Sequence, residues 1–461
     1  MTDVIRSTSP QHPSDVVGEW PDAGAPGVGA AVERGRVVAA GWRGATAFER
    51  SRALRDAASR LAEDANGLAS LMVREVGKPV TESRAEVARA VSILEFYAQA
   101  ALDPEGEILP PSAPGSLLLT RRRPRGLVGL ITPWNFPVAI PVWKLAPALA
   151  WGNVVVLKPS PESTALAVRL AEVLALPADV LQVVPGAGET GRALVEHPGV
   201  DAVSFTGSAA VGSEVTVAAA ARGIPAQAEM GGQNPCIVLA DAGVEASAAI
   251  IAVSAMGYAG QKCTAARRVI AVGATAPAVT DALVASVERL AVGDPADSAT
   301  VVGPLITKAA RDRVAGAVEA ARSSGARVLT GGAPRGDEGW FLTPAVVAGV
   351  PPDQELAREE VFGPVCAVFT ADDIEEAIRL ANATRYGLVA AVFTRDLEAA
   401  LDAATRLEFG LVRVNAPTTG VDFHAPFGGD KASGHGGREQ GRAAREFYTS
   451  TATITIAPPA Q

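Results

Sequence analysis

Cys263 is the residue of this 461-residue chain whose neighbours most favour covalent chemistry. In "GYAGQKCTAARR", residues 257–268, it stands among glycine, lysine and threonine, between a helix of small residues and an apolar strand. A thiol becomes a nucleophile once it is ionised, and local positive potential or a helix end favours the thiolate. A buried free cysteine more often packs as a small apolar side chain. The segment by itself leaves both interpretations open.

Polar side chains also stand at the ends of other predicted strands. Asn135 lies between two prolines in "TPWNFP", a stiff loop that suits a fixed amide donor and equally a structural turn. Glu229 precedes two glycines in "EMGGQNP", where a solvent-facing acid in a turn is the simplest interpretation. In "EEVFGPV", Glu360 and Phe362 are two apart, so on an extended stretch they point to the same side.

An anion could bind where a predicted helix begins after "FTGSAAVG". Gly207 allows close approach of a backbone, and Ser208 opens a helix whose free N–H groups and dipole favour negative charge. Ser208 is also an ordinary helix cap. Lys158 ends the strand "VVVLK" at the sheet edge where open α/β sheets bind ligands, so it is either solvated or holds a ribose or its phosphate.

A literal G-x-G-x-x-G pattern occurs in "PGAGETG", residues 185–191. A dinucleotide fingerprint also expects Asp or Glu near the end of the next strand. That strand ends in Phe205, Thr206 and Gly207. The pattern is therefore half-matched, and a glycine-rich turn is the favoured interpretation.

The elements that must position these residues alternate between strands and helices. Helical spacing runs from Phe48 to Ala101, and near-continuous apolar strands then follow, which indicates parallel sheets covered on both faces. The first block of strands reads "LVGLIT", "VVVLK", "LQVVP" and "AVSFT", with helices beginning near Ala139, Ser163, Glu189 and Ser208. The second block reads "NPCIVLA", "RRVIAVG", "ARVLTGG", "VCAVFT", "LVAAVFT" and "FGLVRVN". We predict an α/β fold with two doubly wound parallel-sheet domains.

The two ends of the chain carry different predictions. Residues 1–30 are rich in Pro, Gly and Ser, and we predict that they lie loosely on the surface and lack the first strands of the fold. The alternating segment "TATITI" near the C-terminus is too short to be stable alone. It should pair with residues 116–123 of this or another subunit, forming a small β oligomerisation element.

Composition excludes several function classes. The net charge of −9 argues against a nucleic-acid surface, and the three cysteines and four histidines show neither disulfide nor zinc spacing. The N-terminus lacks the apolar core of a signal peptide, and prolines interrupt the most apolar stretch, residues 136–157. We expect a cytoplasmic protein with no metal and no membrane contact.

Taken together, the motifs resemble the aldehyde dehydrogenase family from about Ala45 almost to the C-terminus. The matching segments occur in one order: "TPWNFP", "LKPS", "FTGS", "EMGGQNP", "GQKCTA", "EEVFGPV" and "PFGGDKASGHGGREQG". The resemblance implies that Cys263 is the nucleophile, Glu229 the general base and Asn135 the oxyanion donor, with Glu360 at the nicotinamide ribose.

The same resemblance implies a cofactor, NAD or NADP, and a small-molecule aldehyde substrate. The residues expected at the cofactor are Thr132, Pro133, Trp134, Lys158, Ser160, Pro161, Gly191, Phe205, Gly207, Ser208, Met230, Glu360 and Phe362. Pro161 stands where many NAD-preferring relatives carry glutamate, so we expect NADP to be used at least comparably to NAD. The alternative is that Glu162 supplies the missing carboxylate.

The resemblance also suggests a substrate and an assembly. "GLITPWNFPVAIPVWKLAPALAWGN" and "PTTGVDFHAPFGG" look like the branch that oxidises 2-oxoglutarate semialdehyde. An aromatic or aliphatic aldehyde is the alternative if Trp143, Phe136 and Phe423 line an apolar tunnel; a CoA-acylating enzyme or an inactive structural member is less favoured. A homodimer or homotetramer is expected. The predicted domains are 1–111 with 125–232 for NAD(P), 233–440 for catalysis, and 112–124 with 441–461 for oligomerisation.

Overall fold

A computed structural model describes residues 4–459 of the chain. Its helices are α1 Gly24–Gly44, α2 Ala47–Glu63, α3 Ala65–Val76, α4 Val80–Ala100, α5 Ala139–Ala150, α6 Thr164–Leu174, α7 Gly188–Glu196, α8 Ala209–Ala221, α9 Val244–Met256, α10 Ala276–Glu288, α11 Lys308–Ser323, α12 Glu355–Arg358, α13 Ile374–Asn382, α14 Leu397–Arg406 and α15 Ala444–Tyr448.

The strands alternate with these helices over most of the chain. They are β1 Val4–Thr8, β2 Val16–Pro21, β3 Ile108–Leu109, β4 Leu117–Pro124, β5 Leu127–Ile131, β6 Val154–Lys158, β7 Leu181–Val183, β8 Ala202–Thr206, β9 Ala226–Glu229, β10 Asn234–Val238, β11 Ala266–Val272, β12 Arg327–Thr330, β13 Ala345–Ala348, β14 Val365–Ala371, β15 Tyr386–Gly387, β16 Val389–Phe393, β17 Leu411–Val414, β18 Asp430–Lys431, β19 Gly434–His435 and β20 Thr449–Ile456.

The first sheet has the order β19-β9-β8-β5-β6-β7, in which all neighbours except β19 and β9 run parallel. Strands β5, β6 and β8 are buried along their whole length, as is α5, which explains their near-continuous apolar sequences. The chain leaves β5 towards β6 on one side and later returns to β8 on the other. The crevice at the carboxyl ends of β5 and β8 is therefore the topological switch point, where open sheets bind ligands.

The second sheet has the order β12-β13-β14-β11-β10-β16-β17 and is parallel except for the edge strand β12. Strand β9 ends at Glu229 and β10 begins at Asn234, so the carboxyl edge of the first sheet adjoins the amino edge of the second. The two doubly wound parallel sheets confirm the predicted α/β fold class. The sequence prediction did not include β13, a buried four-residue strand.

A small antiparallel sheet, β20-β4-β3, carries the C-terminal strand. The strand β20 pairs with β4 from Thr449 opposite Pro124 to Ile456 opposite Leu117. The predicted partner segment was therefore right, and the pairing lies within one chain. Strand β3 belongs to this sheet, and β19 belongs to the first sheet although it lies within the predicted catalytic segment.

The prediction for residues 1–30 is wrong for the part of that segment the structure describes. Strands β1 and β2 form an antiparallel hairpin, and α1 begins at Gly24. The hairpin connection is tied to α3, because Gln11 donates to the Val73 carbonyl at 2.8 Å and Arg74 makes two hydrogen bonds to Asp15. These partners lie about sixty residues away in sequence, so local composition did not reveal them. Within residues 4–459, no helix is long and apolar enough to cross a membrane.

Candidate active site

Cys263 lies in a strained loop between α9 and β11. The three residues Tyr258, Ala259 and Gly260 have φ values of +55°, +52° and +64°, in the left-handed region. The buried Tyr258 hydroxyl donates to the Val76 carbonyl at 3.1 Å, which anchors this turn on α3. Left-handed backbone at non-glycine residues persists where the surroundings over-determine it, as they often do at functional sites.

Two buried polar side chains hold this loop, and the sequence analysis did not assign either of them a role. Asn234 donates to the carbonyls of Cys263 at 2.8 Å and Ala265 at 2.9 Å. Arg267 donates to the carbonyls of Gly363 and Gly260, joining the cysteine loop to the segment that carries Glu360. The one indication in the sequence is that polar side chains, Asn234 and Arg267, stand at the start of strands that are otherwise apolar enough to be buried.

Two cavities meet at Cys263. One, of about 150 Å³, is lined by Phe136, Trp143 and Phe427 together with Cys263 and part of α4. The other, of about 500 Å³, runs along the switch-point crevice and also reaches Cys263. A reactant in the first can therefore meet a ligand of the second at the sulfur atom. We call these the tunnel and the crevice.

The thiol of Cys263 is neutral in this arrangement. Burial, and after it the charges of Glu360 and Glu229, raises the pKa of the Cys263 thiol to about 12. The backbone N–H groups of Cys263 and Thr264 act in the opposite direction, because they hydrogen-bond to the sulfur. The local N–H groups are thus in place for the thiolate, while the two acids oppose its formation.

Asn135 reaches the crevice from the loop after β5. Its side-chain N–H donates to the Gln261 backbone carbonyl at 3.0 Å, and the backbone carbonyl of Asn135 accepts from the Lys78 ammonium group at 2.7 Å. Among residues 4–459, nothing hydrogen-bonds to the buried Oδ1 atom of Asn135. The side chain of Asn135 is therefore held by Gln261, two residues before Cys263. An amide nitrogen carries two N–H groups, so the second N–H of Asn135 is left for a ligand.

Glu229 is buried at the end of β9 and accepts a hydrogen bond from the Gly429 N–H at 3.1 Å. A Cβ atom at Gly428 would lie 2.4 Å from the Glu229 Oε1 atom, so this close approach requires glycine. Burial, and after it the charge of Glu439, raises the pKa of Glu229 well above its usual value. Lys144, which is ion-paired with Glu439, lowers the pKa of Glu229, but by less than burial and Glu439 raise it. In this conformation burial favours the neutral form of the Glu229 carboxyl more than it would for a solvent-exposed glutamate.

Glu360 lines the crevice on the side of the second sheet. Its Oε1 atom accepts from the Gly232 N–H at 3.3 Å, and a Cβ atom at Gly231 would lie 1.7 Å from Oε2. Burial raises the pKa of Glu360 to about 7, while the charge of Arg267 lowers it. The two glycines after Glu229 therefore allow a carboxylate to pack directly on the backbone.

Seven of the predicted cofactor residues line the crevice: Pro133, Trp134, Gly207, Ser208, Met230, Glu360 and Phe362. Ser208 caps α8 by accepting from the Val211 N–H, and the buried Thr206 hydroxyl has no partner among residues 4–459. These features suit a dinucleotide, because a helix amino end attracts its diphosphate and the crevice offers unsatisfied polar atoms.

The other predicted cofactor residues lie behind or beside that wall. The Thr132 N–H donates to the Lys158 carbonyl, Phe205 is buried in β8, and Gly191 faces the Lys158 side chain. Ser160 hydrogen-bonds to Glu162, and Pro161 begins the short 3₁₀ turn that follows. Pro161 stands where many NAD-preferring relatives carry glutamate, and Glu162 is the alternative source of that carboxylate. The structure places Glu162 in the lining of the crevice.

The glycine-rich run at 185–191 serves as a turn. Asp22, from the segment after the N-terminal hairpin, accepts from the N–H groups of Gly24 and Ala187 and from the Thr190 hydroxyl. Its carboxylate thereby caps the turn that leads into α7. Within residues 4–459, no group of three metal-ligating side chains comes together.

The comparison with known proteins covers nearly the whole chain. The family model described as "Aldehyde dehydrogenase family" matches residues 2–454. An α-ketoglutaric semialdehyde dehydrogenase of Bacillus subtilis is 38% identical over 467 aligned positions, covering 99% of this chain and 95% of that protein. A 2,5-dioxopentanoate dehydrogenase of Saccharolobus solfataricus is 37% identical and covers 90% and 88%.

Solved structures agree with this result. An NAD-dependent aldehyde dehydrogenase from Sinorhizobium meliloti superposes with a TM-score of 0.96 at 37% identity, covering 100% of this chain and 93% of that chain. An NADP-dependent enzyme from E. coli also gives 0.96, at 33% identity, covering 99% and 95%. From the matched motifs, the two-sheet fold and these relatives, we conclude that the chain belongs to the aldehyde dehydrogenase family.

Proposed function

We propose that this NAD(P)-dependent aldehyde dehydrogenase oxidises a small oxo-acid semialdehyde, 2-oxoglutarate semialdehyde, to the corresponding acid. The observation that carries the proposal is Cys263 at the meeting point of a substrate-sized tunnel and a dinucleotide-sized crevice. The substrate follows from the names of the Bacillus and Saccharolobus relatives.

In the first half-reaction the Cys263 thiol gives its proton to water, and the thiolate sulfur then attacks the aldehyde carbon. The π bond of the carbonyl breaks, and a tetrahedral thiohemiacetal forms with its negative charge on oxygen. The free N–H of Asn135 and the Cys263 backbone N–H bind the resulting oxyanion, and one such donor is worth about 3 kcal/mol of transition-state stabilisation. A bound nicotinamide dinucleotide supplies the acceptor for the hydride that leaves the adduct. Collapse of the adduct leaves a thioester on Cys263.

In the second half-reaction Glu229 takes a proton from water, and the water oxygen attacks the thioester carbon. The carbon–sulfur bond breaks, the acid leaves, and the thiol of Cys263 is restored. Only the ionised form of Glu229 can take this proton, and burial raises the pKa that governs how much of that form is present. This base distinguishes hydrolysis from transfer to CoA, in which a thiol replaces water.

An aromatic or aliphatic aldehyde is the second candidate, favoured by the apolar wall of the tunnel. Phe136 and Trp143 line the tunnel as expected, but the third aromatic residue is Phe427, not Phe423. The ring of Phe423 packs edge-on against that of Phe96, with 5.9 Å between the ring centroids. Three aromatic rings suit an uncharged chain.

One experiment separates these candidates. The kcat/KM of the purified enzyme should be measured for 2-oxoglutarate semialdehyde and for pentanal, a neutral aldehyde of the same chain length, with NAD and with NADP. We expect the semialdehyde to be favoured at least tenfold and the acid to form without CoA. Equal or better turnover of pentanal would contradict the proposed substrate.

We also propose the remaining sequence predictions for assembly and location. The chain forms a homodimer or homotetramer through the small sheet, because β20 is an edge strand of that sheet with unpaired backbone groups. Residues 1–111 with 125–232 bind the cofactor, 233–440 carry the nucleophile, and 112–124 with 441–461 form the contact. The protein acts in the cytoplasm. Light scattering at micromolar concentration should give a multiple of 47.0 kDa.

A further inference from the structure

We propose that Arg89 binds the carboxylate of the substrate in the tunnel and so selects anionic aldehydes. This inference rests on the proposed function, since it explains how a semialdehyde is told from a neutral aldehyde. Arg89 lies on α4 and lines the same cavity as Cys263 and the three aromatic side chains.

Several charged side chains line the tunnel. Two acids of α4, Glu82 and Glu86, line it, and each is already neutralised by a lysine. Lys262 donates to Glu82 at 2.8 Å. Lys78 forms a buried ion pair with Glu86. Neither carboxylate therefore offsets another positive charge in the cavity.

The second carboxylate, Glu86, accepts three hydrogen bonds. The Oε1 atom of Glu86 accepts from the N–H groups of Val138 and Ala139 at 2.9 and 3.0 Å, while Oε2 faces Lys78. These contacts turn the Glu86 side chain towards the start of α5. Among residues 4–459, no hydrogen bond or ion pair joins Glu86 to Arg89.

Arg89 has no such partner. Its Nη1 atom donates to the Val421 carbonyl at 2.8 Å, and among residues 4–459 no carboxylate lies within 4.0 Å of its guanidinium. A guanidinium carries several N–H donors in one plane, so most of those of Arg89 remain free. A partly buried cation without a counter-charge favours an anion, and a carboxylate matches its fork geometry.

Cys263 and Arg89, which line the same cavity, can then bind the two functional groups of one substrate. The aldehyde carbon lies at Cys263 and the carboxylate at Arg89, while Phe136, Trp143 and Phe427 pack on the carbon chain between them. The same cation disfavours an aldehyde that carries a quaternary ammonium group. The apolar wall and the selection for an acid are thus compatible.

The test removes the charge of Arg89 while retaining an N–H donor for the Val421 carbonyl. In Arg89→Gln we expect kcat/KM for 2-oxoglutarate semialdehyde to fall about 10- to 100-fold, chiefly through KM, and that for pentanal to change less than about threefold. Arg89→Lys should recover part of the loss. Arg84→Gln, at a solvent-exposed arginine of the same helix, is the matched control and should leave both values unchanged.

Each other outcome has a distinct meaning. Equal losses for both substrates in Arg89→Gln would show that Arg89 only supports the Val421 segment, and would overturn the inference. A variant that keeps the wild-type preference for the semialdehyde would also overturn it and leave the proposed function intact. A wild-type enzyme that prefers pentanal would instead contradict the proposed function itself.

Discussion

Replacing Glu229 with glutamine should separate the two half-reactions. The carboxyl is buried, burial raises its pKa, and its Oε2 atom accepts a hydrogen bond from the Gly429 N–H. Glutamine has nearly the same shape and can accept the same bond, so we expect Glu229→Gln to fold normally. It cannot take a proton from water. General-base catalysis contributes about 10²- to 10⁴-fold, so steady-state kcat should fall by at least about 10², or 2.7 kcal/mol.

The first half-reaction should survive in this variant. Rapid mixing with NAD or NADP should give a burst of reduced cofactor close to one per active site, and mass spectrometry of the quenched protein should show a thioester on Cys263. The absence of both burst and adduct would refute the assignment of Glu229 to hydrolysis. It would place the residue in the attack of the thiol.

The pH dependence gives a second check with a definite sign. Because burial raises the pKa of Glu229, its basic form accumulates only above that raised pKa. Below it, wild-type thioester hydrolysis should increase about tenfold per pH unit, and the residual rate of Glu229→Gln should lack this rise. The raised pKa also means that the wild-type carboxyl costs stability as pH increases. The free energy of unfolding of Glu229→Gln should therefore fall less towards alkaline pH.

Further predictions concern the remaining groups of the site. Cys263→Ser should abolish oxidation while leaving cofactor binding, measured by fluorescence titration, within about threefold; near-normal turnover would exclude a covalent route. Asn135→Ala should lower kcat/KM about 10²-fold with little change in cofactor affinity, as loss of one oxyanion donor predicts. Glu162→Gln should raise the ratio of kcat/KM for NADP to that for NAD about tenfold, because a carboxylate in the crevice repels a 2′-phosphate; an unchanged ratio would exclude that role. Gly231→Ala should raise the KM for the cofactor at least about tenfold in initial-rate assays, since its Cβ atom would collide with Glu360.

The order of elements and the identity of the site motifs were accessible from the sequence. Strands such as β5, β6 and β8 are buried on both faces, so their apolar runs are nearly continuous and the chain between them is helical. The N-terminal hairpin escaped prediction because its stability comes from distant contacts, such as that of Gln11 with Val73. The turn at 185–191 likewise depends on Asp22.

The sequence by itself determined the motifs and their order, because the residue types and spacing of segments such as "GQKCTA" and "EMGGQNP" are local properties of the chain. The chemical roles of their residues are predictions from those motifs. Only the tertiary structure decided their protonation and their neighbours. The pKa of the Cys263 thiol and of Glu229 depends on burial and on charges brought close by folding. In the same way, Arg89 is left without a counter-charge because Lys262 and Lys78, from other segments, occupy the acids beside it. Electrostatic interactions depend on distances and burial in the folded protein, so the order of residues along the chain does not reveal these pKa shifts and ion pairs.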